Sequence, residues 1–152
     1  MPNIISRRGL HDQGERCQAI LAALKSGPKT RREISDLSGF HREGLRAHLV
    51  SLMDDGLILR IDESLEHTVY RLASRGETSI ILDRNRLLPG ERQRQILEHV
   101  KEAGILTAGM ISANCKVGAT SRKLALRALR KAGELEFEKS WCGPTLYTPA
   151  PQ

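Results

Sequence analysis

The chain contains an internal repeat, and this duplication restricts its possible folds more than any other feature. GERCQAIL at 14–21 and GERQRQIL at 90–97 share five of eight residues at an offset of 76. Past a junction of variable length the offset becomes 77 and holds as far as TVYRLA at 68–73 and TLYTPA at 145–150. Two copies are too few for a solenoid, so each copy is expected to close a small core of its own.

Each copy has the same predicted order of three helices followed by two strands. In the first copy, Thr30 and Glu33 have the spacing of a capping box, which marks the start of the second helix. The third helix carries leucines at spacings of three and four residues and is expected to end at Asp55 and Gly56. LILRI at 57–61 and TVYRL at 68–72 alternate and are rich in apolar residues, so they predict a β-hairpin. The second copy repeats these patterns as far as ELEFEK at 134–139 and PTLYT at 144–148.

The segment between the copies is too apolar for a free linker. It contains Ile80, Ile81 and Leu82, so we expect it to pack between the copies as a short strand. The predicted organisation is a basic N-terminal arm at 1–12, a first domain at 13–75, a partly packed linker at 76–88 and a second domain at 89–152. Two interpretations are open for Arg7 and Arg8 in the arm: they contact the minor groove of DNA, or they belong to a basic terminus without a binding function.

GLRAHLVSLMDDGLI at 44–58 places Leu45, Leu49, Leu52 and Gly56 at fixed spacings before an apolar pair. This pattern resembles the third-helix signature of the winged helix-turn-helix superfamily, which is common among bacterial and phage transcription regulators. The second copy matches the signature at residues 126, 129 and 133, but it has Arg122 and Glu134 where apolar residues are expected. The resemblance implies an α+β, mainly helical fold of two tandem winged helix-turn-helix domains, each with three helices and a β-hairpin wing.

The resemblance also implies a function. In helix-turn-helix domains the recognition helix lies in the major groove of DNA, and in winged domains the hairpin adds a further contact. The expected function is therefore sequence-specific binding of double-stranded DNA by two recognition helices, as in a transcription regulator. A formal net charge of +6 and a pI near 9.6 agree with a polyanionic partner. Because two recognition helices are linked in one chain, a monomer could act as a pseudo-dimer, and a homodimer is the alternative.

Charge is distributed unequally between the copies. The window 26–56 contains five basic and five acidic residues, whereas the equivalent window 103–133 contains six basic and no acidic residues. In the first copy the candidate DNA contacts are Arg31, Arg32, His41, Arg42 and Arg46. In the second copy they are Lys116, Thr120, Ser121, Arg122, Lys123 and Arg127, together with Lys139 in the wing. Trp141 in the same wing is expected to cover the apolar side of its hairpin, with stacking on nucleic acid as the alternative.

The same residues are compatible with other classes of function. The neutral first copy suits a protein partner, so an interaction scaffold is the alternative class, and a plasmid or phage replication initiator is a third interpretation. The sequence has no P-loop, no GxSxG and no paired metal-ligand motif, so we expect no enzyme, cofactor or metal. No stretch approaches the ~20 apolar residues of a membrane span. We therefore expect a cytoplasmic protein that is nucleoid-associated when bound to DNA, with free thiols at Cys17, Cys115 and Cys142.

Overall fold

The computed structural model of the chain describes residues 7–63, 67–141 and 143–152, except for the side chains of residues 7–13 and 89. The fold is α+β and mainly helical, with two small antiparallel sheets. The helices are α1 (Arg7–Leu24), α2 (Arg31–Ser38), α3 (Arg42–Asp54), α4 (Arg75–Asn85), α5 (Pro89–Ala103), α6 (Ala108–Cys115) and α7 (Ala119–Lys131). The strands are β1 (Ile58–Asp62), β2 (Thr68–Leu72), β3 (Leu106–Thr107), β4 (Leu135–Glu138) and β5 (Leu146–Pro149).

The internal repeat is visible in the bounds of these elements. Helix α2 spans residues 31–38 and α6 spans 108–115, while α3 spans 42–54 and α7 spans 119–131. Each pair of helices is therefore displaced by 77 residues at both ends, and the hairpin β1–β2 corresponds to β4–β5 at the same offset to within one residue at each strand end. We call α1–α3 with β1 and β2 the first unit, and α5–α7 with β3–β5 the second unit.

The two units also share a short pairing between the start of the second helix and the last strand. In the first unit Lys29 forms an isolated antiparallel bridge with Tyr70. In the second unit β3 pairs with β5, so that Leu106 lies opposite Tyr147 at the equivalent position. The duplication therefore extends to the hydrogen-bonding pattern of the backbone.

Local signals in the sequence account for the ends of the helices. The predicted capping box is confirmed: the backbone N–H of Thr30 donates to Glu33 Oε2 at 2.7 Å, and the Glu33 N–H donates to Thr30 Oγ1. Helix α2 ends at Gly39, whose φ of 74° lies in the left-handed region that glycine adopts without strain. Gly56 has a φ of 72° just after α3, as expected from the Asp55-Gly56 stop signal.

Each unit closes its own apolar core. The first core is built from Ile20, Leu24, Ile34, Leu45, Leu49, Leu52, Met53 and Ile58. The second is built from Ile96, Val100, Leu106, Ile111, Cys115, Val117, Ala125, Leu126, Leu129 and Leu135. Ala119 crosses between them, because it belongs to α7 of the second unit and is buried against the core of the first.

The segment between the units is a helix, so the expectation of a short strand was wrong. Helix α4 begins with a capping box in which Ser74 and Glu77 satisfy each other's backbone N–H groups. Its Ile81 is completely buried, whereas Ile80 and Leu82 remain exposed. The capping box is a local helix-start signal, and it outweighs the strand preference of two consecutive isoleucines.

The N-terminal boundary also differs from the expectation. Helix α1 begins at Arg7, so residues 7–12 of the expected arm are helical, and residues 1–6 lie outside the described part of the chain. Cys17 and Cys115 are free thiols, and burial raises the pKa of both, whereas Cys142 lies outside the described residues. No helix within the described ranges is long and apolar enough to cross a membrane.

Candidate nucleic-acid interface

The N-terminal half of α3 presents a basic face to solvent. Arg42 and Arg46 are exposed and lie one turn apart, while Leu45 between them is buried in the first core. His41 is the N-cap of this helix, and its Nδ1 accepts the backbone N–H of Glu43 at 3.4 Å. The predicted contacts of the first copy therefore include one residue, His41, that also fixes the start of the helix.

The equivalent half of α7 is docked on the first unit. Asp54, the last residue of α3, accepts the backbone N–H of Thr120 at 2.7 Å and also its side-chain hydroxyl. The N-cap residue of α7, Gly118, has no side-chain capping bond, so the Asp54 carboxylate caps α7 from the other unit. A negative charge at a helix N-terminus is favourable because the backbone N–H groups there are unpaired.

Helix α4 reinforces this junction through one amide side chain. Asn85 Nδ2 donates to the backbone carbonyl of Asp54 at 3.2 Å, and Asn85 Oδ1 accepts the N–H of Gly118 at 3.2 Å. The end of α3, the end of α4 and the start of α7 are therefore joined at one point.

Lys116 is held by a second charged group of α4. Its Nζ lies 2.8 Å from Glu77 Oε2, and the same carboxylate pairs with both terminal nitrogens of Arg71 at 2.8 and 2.7 Å. The hydrogen bonds from Arg71 and then Lys116 hold the pKa of Glu77 far below its usual range, although partial burial opposes them. In this arrangement Lys116 neutralises a carboxylate of the protein, which leaves it poorly placed to contact a phosphate.

A buried carboxylate ties β1 to the start of α6. Asp62 accepts hydrogen bonds from Thr68 Oγ1 at 2.7 Å, from the Gly109 N–H at 3.1 Å and from Thr107 Oγ1. A side chain on Gly109 would collide with this carboxylate. Asp62 also forms an ion pair with Arg60 Nε at 3.4 Å. Because burying an ionised group without partners is costly, these donors and the ion pair stabilise Asp62 between the units.

Arg122 is also at the junction, which explains its departure from the apolar pattern. It stands 77 residues after Leu45, but its guanidinium lies between the units, where Nη1 donates to the carbonyl of Ala108 at 3.3 Å. Burial, and then the charge of Arg60, lower the pKa of Arg122 to about 10. Leu126 and Leu129 are buried as expected, so the helix keeps its rotation and only the residue type at position 122 differs.

The docked units enclose a basic cleft of about 740 Å³, which we call the inter-unit cleft. Among the described residues that line it, six are cationic and none is acidic. The cationic residues are Arg31, Arg42, Arg46, Arg60, Arg122 and Lys123. Thr120 also lines the cleft, so six of the twelve predicted contacts meet here, three from each copy.

Arg60 is the lining residue that the sequence interpretation missed. It lies in β1, within the run LILRI, and its charge is the only one in that otherwise apolar segment. A single charged residue within an otherwise apolar run is a signal that could have identified it.

The other predicted residues lie outside the lining of the cleft. Arg32, Arg127 and Lys139 are exposed, and Ser121 is partly buried. Arg127 lines a separate surface depression beside Arg130, whose guanidinium lies 3.4 Å from the centre of the Phe137 ring. Trp141 is fully exposed, so the expectation that it covers its own hairpin was wrong.

The exposed face of α3 and the inter-unit cleft form one continuous basic surface, because Arg42 and Arg46 belong to both. The chain matches no protein-family model, and no curated protein matches its sequence. A functional conclusion therefore depends on the residues and the geometry of this chain.

Proposed function

We propose that the chain is a sequence-specific double-stranded DNA-binding protein, a transcription regulator built from two tandem winged helix-turn-helix domains. The domain assignment is supported by the repeated order of three helices and a hairpin, with a short pairing before the second helix of each unit. The observation that carries the function is the exposed basic half of α3, which continues into a cleft lined by six cationic residues and no acidic ones.

Helix α3 has the chemistry of a base-reading helix. An α-helix is about 10–12 Å across, which matches the ~12 Å width of the major groove. Its exposed residues include Arg42, Glu43, Arg46 and Ala47. Arginine pairs with guanine, glutamate accepts from the amino group of cytosine, and a methyl group contacts thymine. This face can therefore distinguish bases as well as bind phosphates.

The geometry favours one base-reading helix and not the two that the sequence suggested. Helix α3 has 13 residues, or roughly 20 Å at 1.5 Å per residue. Since its last residue touches the start of α7, the N-termini of α3 and α7 are about 20 Å apart. Half-sites in successive major grooves need about 34 Å. We therefore propose one base-reading helix in each chain, in place of a monomer that acts as a pseudo-dimer.

We assign the second unit a supporting role in the same complex. Its exposed Lys123 and Arg127 lie on α7 beyond the docked N-terminal turn, where they can reach backbone phosphates. Phosphate contacts supply affinity and fix the position of the protein, whereas base contacts supply specificity. Base reading by α3 and phosphate binding by α7 then belong to one binding site on the duplex.

The test is selection from a random pool of duplexes with the full chain, followed by titration of the enriched duplex and a shuffled control at several salt concentrations. We expect an enriched motif that binds more tightly than the shuffled duplex, and an affinity that falls as salt rises. Lys123→Ala should reduce the slope of log affinity against log salt by about one. Lys101→Ala is the matched control, because Lys101 is an exposed residue of α5 outside the cleft lining.

Two outcomes of the duplex selection and the salt titration would contradict the proposed function. If no duplex is enriched and the shuffled duplex binds as well as any other, the chain does not read sequence. An unchanged salt slope in Lys123→Ala would remove α7 from the interface. The first outcome would favour the interaction scaffold that the neutral window of the first copy suggests.

A further inference from the structure

Two partly buried guanidinium groups in the inter-unit cleft have unused hydrogen-bond donors. The side chain of Arg60 is 21% exposed, and its Nε is buried without a hydrogen-bond partner, although it lies 3.4 Å from Asp62 Oδ1. Arg122 donates through Nη1 to the carbonyl of Ala108. Together the two groups carry about ten N–H donors. Among the described residues their only partners are the Ala108 carbonyl, which accepts one hydrogen bond, and Asp62, which forms the ion pair with Arg60.

The nearby carboxylate balances only one of these two charges, because Asp62 forms an ion pair with Arg60 at 3.4 Å. Asp62 is already engaged by Thr68, Thr107 and the backbone of Gly109. Arg122 has a lowered pKa of about 10, so it still carries its charge at neutral pH. The cleft therefore holds excess positive charge in a partly desolvated place, and an anion with several acceptor oxygens would both neutralise it and satisfy its donors.

We propose that the inter-unit cleft is a binding site for a phosphate-bearing ligand, with Arg60 and Arg122 as its inner contacts and Lys123 at its rim. A volume of about 740 Å³ lies within the range of roughly 300–1,000 Å³ that is typical of small-molecule sites. Arginine is suited to phosphate because its planar fork forms two parallel charge-assisted hydrogen bonds. The phosphate belongs either to a free small molecule or to the DNA backbone, and both sources share this chemistry.

A free ligand in this cleft would regulate DNA binding. Arg42 and Arg46 line the cleft and also belong to the proposed base-reading face of α3, so an occupied cleft competes for the same guanidinium groups. This regulatory part rests on the proposed function, whereas ligand binding itself does not.

The first arm of the test is calorimetric titration of the full chain with inorganic pyrophosphate, without DNA, at an ionic strength fixed with sodium chloride. We expect saturable binding that Arg60→Gln and Arg122→Gln each weaken about tenfold, which corresponds to ~1.4 kcal/mol. Lys123→Gln should also weaken it, and this exposed position does not depend on the packing of the junction. Lys101→Gln should leave it unchanged, and thermal unfolding of each variant without ligand checks the fold.

The second arm repeats the titrations with the enriched duplex, with and without pyrophosphate. A free-ligand site is supported if pyrophosphate weakens duplex binding by the wild type but not by Arg122→Gln. A site for a backbone phosphate is supported if pyrophosphate does not bind, while Arg60→Gln and Arg122→Gln weaken duplex binding and Lys101→Gln does not.

Two results would overturn the proposal. One is the absence of pyrophosphate binding together with unchanged duplex binding in both arginine variants. The other is pyrophosphate binding that none of the three cleft variants weakens. If the chain binds pyrophosphate in the cleft but enriches no duplex, the ligand site stands and the proposed DNA-binding function fails.

Discussion

Single side chains at the junction explain why the charge pattern did not correctly predict every residue of the interface. The sequence predicts Lys116 and Thr120 as DNA contacts because both lie in the window 103–133, which contains no acidic residue. Their partners, Glu77 and Asp54, come 39 and 66 residues earlier in the chain. Local patterns cannot reveal partners at such separations, so a cation that faces solvent and one that docks a domain look the same in the sequence.

At this scale we expect Glu77→Gln to destabilise the protein by about 2 kcal/mol at neutral pH, because Arg71 and Lys116 lose a charged acceptor. The folded protein lowers the pKa of Glu77, so its contribution is fully present above the ordinary glutamate pKa of 4.5 and is lost as the pH falls below it. Urea unfolding of both proteins between pH 3 and pH 7, read by circular dichroism, measures the difference.

The control for this prediction is Glu98→Gln. Glu98 pairs with Arg94 at 2.9 Å, but both side chains are about 60% exposed, so the loss should be at most about 0.5 kcal/mol. A Glu77→Gln difference that stays the same at low pH, or that is no larger than the control, would contradict an ionised and paired Glu77.

At the scale of elements, the sequence predicted the helices and hairpins of both units well because their signals are local. Leucine spacing, the Thr30–Glu33 capping box and glycine stop signals each act within a few residues. Helix α4 was misread because a short apolar run is compatible with a strand or a helix. Ser74 and Glu77 have the same capping-box spacing as Thr30 and Glu33, so the signal for this helix was present in the sequence.

The close packing of α6 on β1 leaves no room for a side chain at Gly109. A Cβ on Gly109 would meet the Asp62 carboxylate, so Gly109→Ala must move this buried group. We expect a loss of about 1–3 kcal/mol, as for other overpacked sites. Equilibrium unfolding in urea measures it.

Gly14→Ala is the matched control, because Gly14 lies in α1 with open space around it. Alanine there should stabilise the helix by up to about 1 kcal/mol. If Gly109→Ala were also stabilising, the junction between β1 and α6 would not be packed as described.

For the whole molecule, the docking of the two units engages three acidic side chains that lie between them. Asp54 and Asp62 of the first unit, with Glu77 of α4, turn toward groups of the second unit. Residues 26–56 have no net charge. Within this window Asp54 is engaged at the junction, whereas Arg42 and Arg46 remain on the outer face. Docking therefore engages these three carboxylates at the junction, and the cleft lining that spans both units is basic.

We have proposed that α3 reads bases while α7 contacts phosphates. The most direct test is to repeat the duplex selection with Arg46→Ala and Arg127→Ala, two single arginine deletions on the exposed faces of these helices. Arg46→Ala should relax the base preference at one position and cost about 1–3 kcal/mol on the preferred duplex. Arg127→Ala should weaken all duplexes alike and keep the preferred sequence. A preferred sequence altered by Arg127→Ala and retained by Arg46→Ala would contradict these roles of the two helices.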